Sequence, residues 1–182
     1  GKTTLTAAML YAAGRTDKLG SVPEGTTVTD FDPQEIERKV SMSLGVAFAE
    51  WEGCKLNLLD APGYTNFIGE AAAALGAADA ALLVVHGTDG IDIQTEKMWE
   101  DAEKAGLPVM FAISFLDGPN SDFQKTLEAL QERYGRGVMP AALPIGSGDA
   151  LEGIVCLISG KAARPKAGTG EVELSDPPAD MQ

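Results

Sequence analysis

Leu58-Leu59-Asp60-Ala61-Pro62-Gly63 carries an apolar run onto a carboxylate and then a proline-glycine turn, and Gly1-Lys2-Thr3-Thr4 opens a helix on a glycine, a cation and two hydroxyls. The apolar run reads as a strand, and the turn leads into an alanine-rich helix over residues 66–77. Behind the opening tetrapeptide, Leu5, Met9 and Ala12 recur at helical spacing over residues 3–13, and Gly14 supplies a left-handed stop. Strand and helix then alternate. Residues 80–85 form a continuous apolar run suited to a strand buried on both faces, 95–105 a helix, and 108–113 a second strand of the buried kind. Phe123, Leu127, Leu130 and Tyr134 form the stripe of a helix capped by Asn120 or Ser121 and stopped by Gly135. That rhythm predicts an α/β fold with a mostly parallel sheet, helices on both faces, and a ligand site in the loops at the carboxyl ends of the strands.

The remaining segments decorate this frame. Residues 42–51, with Met42, Leu44, Val46 and Phe48 alternating, and 54–59 flank Glu52-Gly53 and predict a hairpin. Residues 20–41 are polar, and Pro23, Gly25 and Pro33 break any regular element, so a long functional loop is expected there. Strands are expected over 139–145 and 153–159. Residues 164–182 are rich in proline, glycine and acid, with a short run at 171–174, and read as the start of a separate insertion. The expected division is therefore a main domain over 1–148 and an incomplete inserted subdomain over 149–182, in a chain that opens without an initiator methionine and reads as a fragment.

Composition narrows the function classes. Of 182 residues 45% are hydrophobic and 23% charged, which suits a globular domain rather than a disordered or fibrous chain. Fourteen basic against 27 acidic residues leave a net charge of −13, which argues against free nucleic acid or an anionic membrane as a partner of this chain alone. No apolar run approaches the roughly 20 residues of a membrane span. Cys54 and Cys156 stand in no metal or redox spacing and read as buried thiols of a reducing, cytoplasmic compartment. Trp51 and Trp99 are expected in the core, and His86, the only histidine, at a strand end with no nucleophile beside it.

Gly1-Lys2-Thr3-Thr4 matches the second half of a phosphate-binding loop. In such a loop backbone amides and a helix N-terminus cradle phosphates, the lysine reaches the β and γ phosphates, and the first hydroxyl ligates Mg²⁺. Taken alone the tetrapeptide is more simply a capped helix start. Asp60 adds a carboxylate able to hold the metal's water, and Gly63 an amide that can approach a γ phosphate closely because no Cβ intervenes. Ser114-Phe115-Leu116-Asp117 leaves the end of a strand, and Asp117 can accept from both the N1 and exocyclic-amine donors of guanine, or simply form a turn before Gly118-Pro119. Phe115 either stacks on a base or fills core, the second being favoured for an aromatic at a strand end.

The runs over 22–31, Glu37-Arg38-Lys39-Val40-Ser41 and Leu58 to Phe67, continued by Asp79-Ala80-Ala81-Leu82, Gly90, Gln94-Thr95-Glu96 and Leu143-Pro144-Ile145-Gly146, resemble the GTP-binding domain of bacterial elongation factor G and its elongation-factor-G-like paralogues. The resemblance covers essentially the whole chain. It implies a P-loop GTPase that binds GTP and GDP with Mg²⁺, hydrolyses GTP on the ribosome, and works as a monomer in the cytoplasm. By position it makes Gly1, Lys2, Thr3, Thr4, Asp60, Gly63, Ser114 and Asp117 nucleotide-binding, and Thr3, Ser41 and Asp60 (through water) metal-binding. Tyr64 stands where the family's translocase has the histidine that orients the attacking water, and a phenol of pKa near 10 serves poorly in that role. The base-reading motif keeps its aspartate but has lost its amide and lysine, and Ser41 replaces a threonine while keeping the hydroxyl. A GTP-binding, ribosome-associated switch with little hydrolysis is therefore the alternative, and a P-loop ATPase a weaker third.

Overall fold

The computed structural model describes residues 1–166 and 171–181. The chain divides into two compact units, residues 1–84 with 92–112, and residues 85–91 with 113–182. In the first unit lie α1 (Lys2–Ala12), α2 (Pro33–Arg38), the hairpin β1 (Gly45–Trp51) and β2 (Cys54–Asp60), α3 (Ile68–Ala77) after a 3₁₀ turn at Thr65–Phe67, and α4 (Ile93–Lys104). Strands β3 (Ala81–His86) and β4 (Val109–Ser114) run from the first unit into the second. The second unit holds α5 (Phe123–Tyr134), β5 (Ala142–Ile145), β6 (Gly153–Cys156), β7 (Lys161–Pro165) and β8 (Val172–Ser175).

The α/β alternation is as expected, and connection length decides each strand pairing. β3 and β4, joined through α4, pair in parallel: Ala81 N–H donates to Pro108 O and Gly87 N–H to Ser114 O (2.9 and 2.7 Å). β1 and β2, joined by two residues, pair antiparallel from Gly45 opposite Asp60 to Trp51 opposite Cys54. Glu52 and Gly53 both take positive φ (49° and 80°), the conformation a two-residue hairpin turn requires. β5 to β8 form an antiparallel four-stranded sheet, in which β5–β6 joins strands on either side of residue 148. One of its faces buries Ile145, Val155 and Ala162 against Met181, while Ile154, Val172 and Leu174 on the other stay exposed.

Several sequence expectations are corrected by packing. In α1 the buried side chains are Thr3, Ala7 and Leu10, rather than the Leu5, Met9 and Ala12 stripe. The helix is apolar on nearly every side, so periodicity alone selects no face. Pro33 does not break structure: it takes the first turn of α2, behind a capping box in which Asp32 accepts from the Gln34 amide and Glu35 from the Asp32 amide. The cap of α5 is Asp122, accepting from the Lys125 amide, and not Asn120 or Ser121. Leu82 and Met110 are exposed, so β3 and β4 are not covered on both faces. Trp51 is exposed at the hairpin tip, whereas Trp99 stacks on Phe111 with ring centroids 5.5 Å apart. Cys54 is exposed, near that same tip, and Cys156 half-buried. The predicted tail falls partly on β7 and β8, and its residues 167–170 and 182 lie outside the described ones.

Candidate functional site

The first unit gathers a set of oxygens around the start of α1. Thr3, on the buried side of the helix, has its Oγ1 3.1 Å from Ser41 Oγ, and Ser41 donates to Asp30 Oδ1 at 2.6 Å. Thr29 Oγ1 donates to Asp60 Oδ2 at 2.6 Å. Thr3, Thr29, Asp30 and Asp60 are all at least nine-tenths buried. Burial pushes the Asp60 carboxyl above its ordinary range, hydrogen bonds from Thr29 and Thr3 oppose the shift, the Asp30 charge adds to it, and the Lys2 charge opposes it. Two carboxylates with three hydroxyls between them, out of water and mutually repelling, form an all-oxygen donor set that suits a small hard cation. The described residues contain no group of three or more His, Cys, Asp or Glu side chains fit to hold a metal by themselves. Mg²⁺ accompanied by phosphate needs only one or two carboxylates, so the residues present fit that ion.

The sequence brings this cluster together by two glycines and one glutamate. Gly45 begins β1 so close to Thr29 that a Cβ there would stand 2.6 Å from the threonine Cβ, and the strand register sets Gly45 opposite Asp60. Gly63 lies against the Lys2 ammonium, where any side chain would collide with Nζ. Glu35, only 1% exposed, accepts from the amides of Met42 and Ser43 at 2.8 and 2.9 Å and so ties α2 to the segment that carries Ser41. Its burial opposes ionisation, but the amides of Ser43, Met42, Asp32 and Phe31 together outweigh that and hold its carboxyl below the ordinary range. Of the expected residues, Lys2, Thr3, Ser41, Asp60 and Gly63 thus meet in this unit; Thr4 is exposed on the outer side of α1 and Gly1 is its N-cap. Tyr64 is 60% exposed, just before the 3₁₀ turn. Sequence patterning gives no role to Thr29, Asp30 or Glu35. A D-x-x-E capping pattern was present for Glu35, whereas nothing local marks Thr29 or Asp30 as buried.

A cavity of about 310 Å³ lined by Ala7, Thr16, Asp17, Lys18, Gly20, Thr26 and Val28 contains none of the expected residues. Ser114 and Asp117 belong to the second unit, in the loop that leaves β4. Ser114 Oγ donates to Val85 O at 3.2 Å, which makes it a clip between β4 and β3, and Asp117 is exposed. Phe115 does not fill core: it is 49% exposed, at φ 58°, with its ring stacked on His86. His86 ends β3 as expected and accepts the Thr88 amide on Nδ1 at 3.3 Å; Asp89, 3.7 Å from the same nitrogen, is exposed.

A glycine-lysine-threonine helix start whose threonine meets a strand-end aspartate and a loop hydroxyl, within an alternating α/β chain, defines a P-loop GTPase domain. Comparison with known proteins makes the assignment specific. Residues 1–170 match the model of the elongation factor Tu GTP binding domain, and the chain belongs to that family of translational GTPases. It is 43% identical over 155 residues to an elongation factor G-like protein of Mycobacterium tuberculosis, covering 85% of this chain and 21% of that protein. It is 34% identical over 162 residues to elongation factor G of Salinibacter ruber, covering 89% and 23%. A crystal structure from Thermus thermophilus superposes with a TM-score of 0.90 at 39% identity, over 99% of this chain and 27% of that one. The chain thus spans between a fifth and a quarter of the two curated relatives' length. No helix among the described residues is long and apolar enough to cross a membrane.

Proposed function

We propose that the chain is the nucleotide-binding part of an elongation-factor-G-like protein that binds GTP and hydrolyses it, with Mg²⁺, on the ribosome in the cytoplasm. Residues 1–148 form the GTP-binding domain and 149–182 begin an inserted subdomain. What chiefly supports the reading is the buried oxygen cluster beside Lys2 and Gly63. Thr3, Ser41 and, through water, Asp60 would hold the cation, whose contribution when bound is to neutralise charge on the phosphates. Lys2 places a second positive charge on the phosphates, and the Gly1 to Thr4 amides at the head of α1 orient them. Gly63 would offer its amide to the terminal phosphate, and Tyr64, the next residue, takes the position from which the attacking water would be oriented. Such chemistry is positioning and electrostatics rather than covalent catalysis. Asp117 reads guanine through two accepted hydrogen bonds, with Ser114 beside it. A monomer suffices for all of this, and free DNA is no partner at a net charge of −13.

The test is multiple-turnover GTP hydrolysis with and without 70S ribosomes, for wild type and Tyr64→His. We expect ribosome-stimulated turnover in the wild type. Tight GTP binding without turnover, raised about a hundredfold by the histidine, would instead establish the second reading, a switch with little hydrolysis. The exposed phenol at position 64 is the observation that favours that alternative. Base selection has its own check. Asp117→Asn exchanges an acceptor for a donor, and the preference for xanthosine over guanosine triphosphate should rise about a hundredfold in competition binding. Unmoved selectivity would remove Asp117 from the base.

A further inference from the structure

Phe115 is costly where it stands. A non-glycine residue at φ 58° is strained, and a ring left 49% exposed recovers little of that by burial. The surrounding loop nevertheless fixes it from several sides. Gly87 N–H holds Ser114 O at 2.7 Å, Gly148 N–H holds Leu116 O at 3.0 Å, and the Ser121 hydroxyl is shared between Leu116 O and Gly118 O at 2.7 and 2.8 Å. Gly87 itself approaches so closely that a Cβ would stand 2.9 Å from Ser114 O. Behind the Phe115 ring lies the His86 imidazole, 4.5 Å away between centroids and 21° from parallel. One face of the phenyl is therefore backed by a second aromatic ring, and its exposed surface is the opposite face and the rim. Asp117, an exposed carboxylate, follows two residues later in the same loop.

We infer that Phe115, braced by His86, is a stacking platform for the nucleobase and sets much of the affinity for the guanine end of the nucleotide. A flat apolar face next to an acceptor-only carboxylate is suited to a planar heterocycle that presents two N–H donors on one edge. Guanine meets that description and adenine, with one donor and one acceptor on the corresponding edge, does not. The inference rests on the nucleotide-binding reading above and names the group that takes over in this chain where the base-reading motif has lost its lysine. Stacking tolerates any base, so Phe115 supplies grip while Asp117 supplies choice.

The experiment is calorimetric binding of two probes, GDP and inorganic tripolyphosphate, to wild type, Phe115→Gly and Phe115→Trp. Glycine accepts the left-handed backbone, so it removes the ring without disturbing the loop. Phe115→Gly should weaken GDP about tenfold or more and leave tripolyphosphate unchanged. Phe115→Trp should keep GDP affinity, and its added indole emission should be quenched by GDP but not by tripolyphosphate. Equal GDP affinity in Phe115→Gly and wild type, or a parallel loss of both probes, overturns the platform while leaving nucleotide binding in place. A wild type that binds neither probe overturns the nucleotide reading itself, and the platform with it.

Discussion

Lys2→Ala should weaken GTP and GDP binding about a hundredfold or more, with the folded protein intact. The Lys2 ammonium lies against Gly63, its charge acts on the buried Asp60 carboxylate, and it is the cation on the proposed phosphate path. A charged donor on phosphate contributes roughly 1.5–3 kcal/mol per hydrogen bond, and two phosphates within reach make the loss at least about a hundredfold. Alanine removes one of the charges that offset the burial of Asp60, but the Thr29 hydroxyl still donates to that carboxylate, so the fold should survive the change. Gly63→Ala is the companion variant. Its Cβ would displace the lysine tip, which is the mobile end of a flexible side chain, so the fold should survive while nucleotide affinity falls in the same direction. Titration calorimetry with GDP checks both, and undiminished affinity in Lys2→Ala removes the phosphate-loop assignment.

Glu35→Ala should cost about 3 kcal/mol of stability, because it strands the Met42 and Ser43 amides and undoes half of the α2 capping box. Glu35→Gln keeps the shape and should cost less. The pH dependence carries the sign of a depressed carboxyl. With the folded-state value below the ordinary 4.5, the stabilisation is complete above that range and fades as pH falls through the folded-state value. The gap between wild type and Glu35→Gln in urea unfolding should therefore be constant from neutral pH down to the ordinary glutamate range and close below it. A gap that widens on acidification would show that the amides do not favour the ionised form. Because Glu35 ties down the chain immediately after Ser41, its loss should also loosen the hydroxyl that meets Thr3.

How much of this was legible in the sequence depends on the range of the interaction concerned. Turn chemistry is local, so Glu52-Gly53 and the glycine stops at Gly14 and Gly135 could be read directly. Strand-helix alternation over 54–134 was likewise legible, since each element carries its own period. What failed was facing. α1 is apolar nearly all round, and only tertiary packing selects Thr3, Ala7 and Leu10. The polar stretch over 20–41 is a loop as expected apart from α2, but its burial is not legible in the sequence. Its Thr29, Asp30 and Glu35 are among the most buried residues of the chain, held by side-chain hydrogen bonds that no hydropathy pattern announces. Lys2, Thr3, Ser41, Asp60 and Gly63 were picked out by motif and resemblance, and they do meet in space. Of the two alternatives open for Phe115, the favoured core position fails, because the rule that strand-end aromatics are buried takes no account of a left-handed backbone.

The backbone at Phe115 also sets a conflict for anyone breeding a hardier version of this protein. At φ 58° glycine or asparagine would sit more comfortably than phenylalanine, by about 1 kcal/mol or more. A library screened only for heat resistance would therefore drift toward those two residues and discard the ring. One screened for retention on immobilised GDP would hold phenylalanine and accept the lower melting point. The two screens would part company at this position, and their divergence would record how much robustness the loop forgoes to keep its ring.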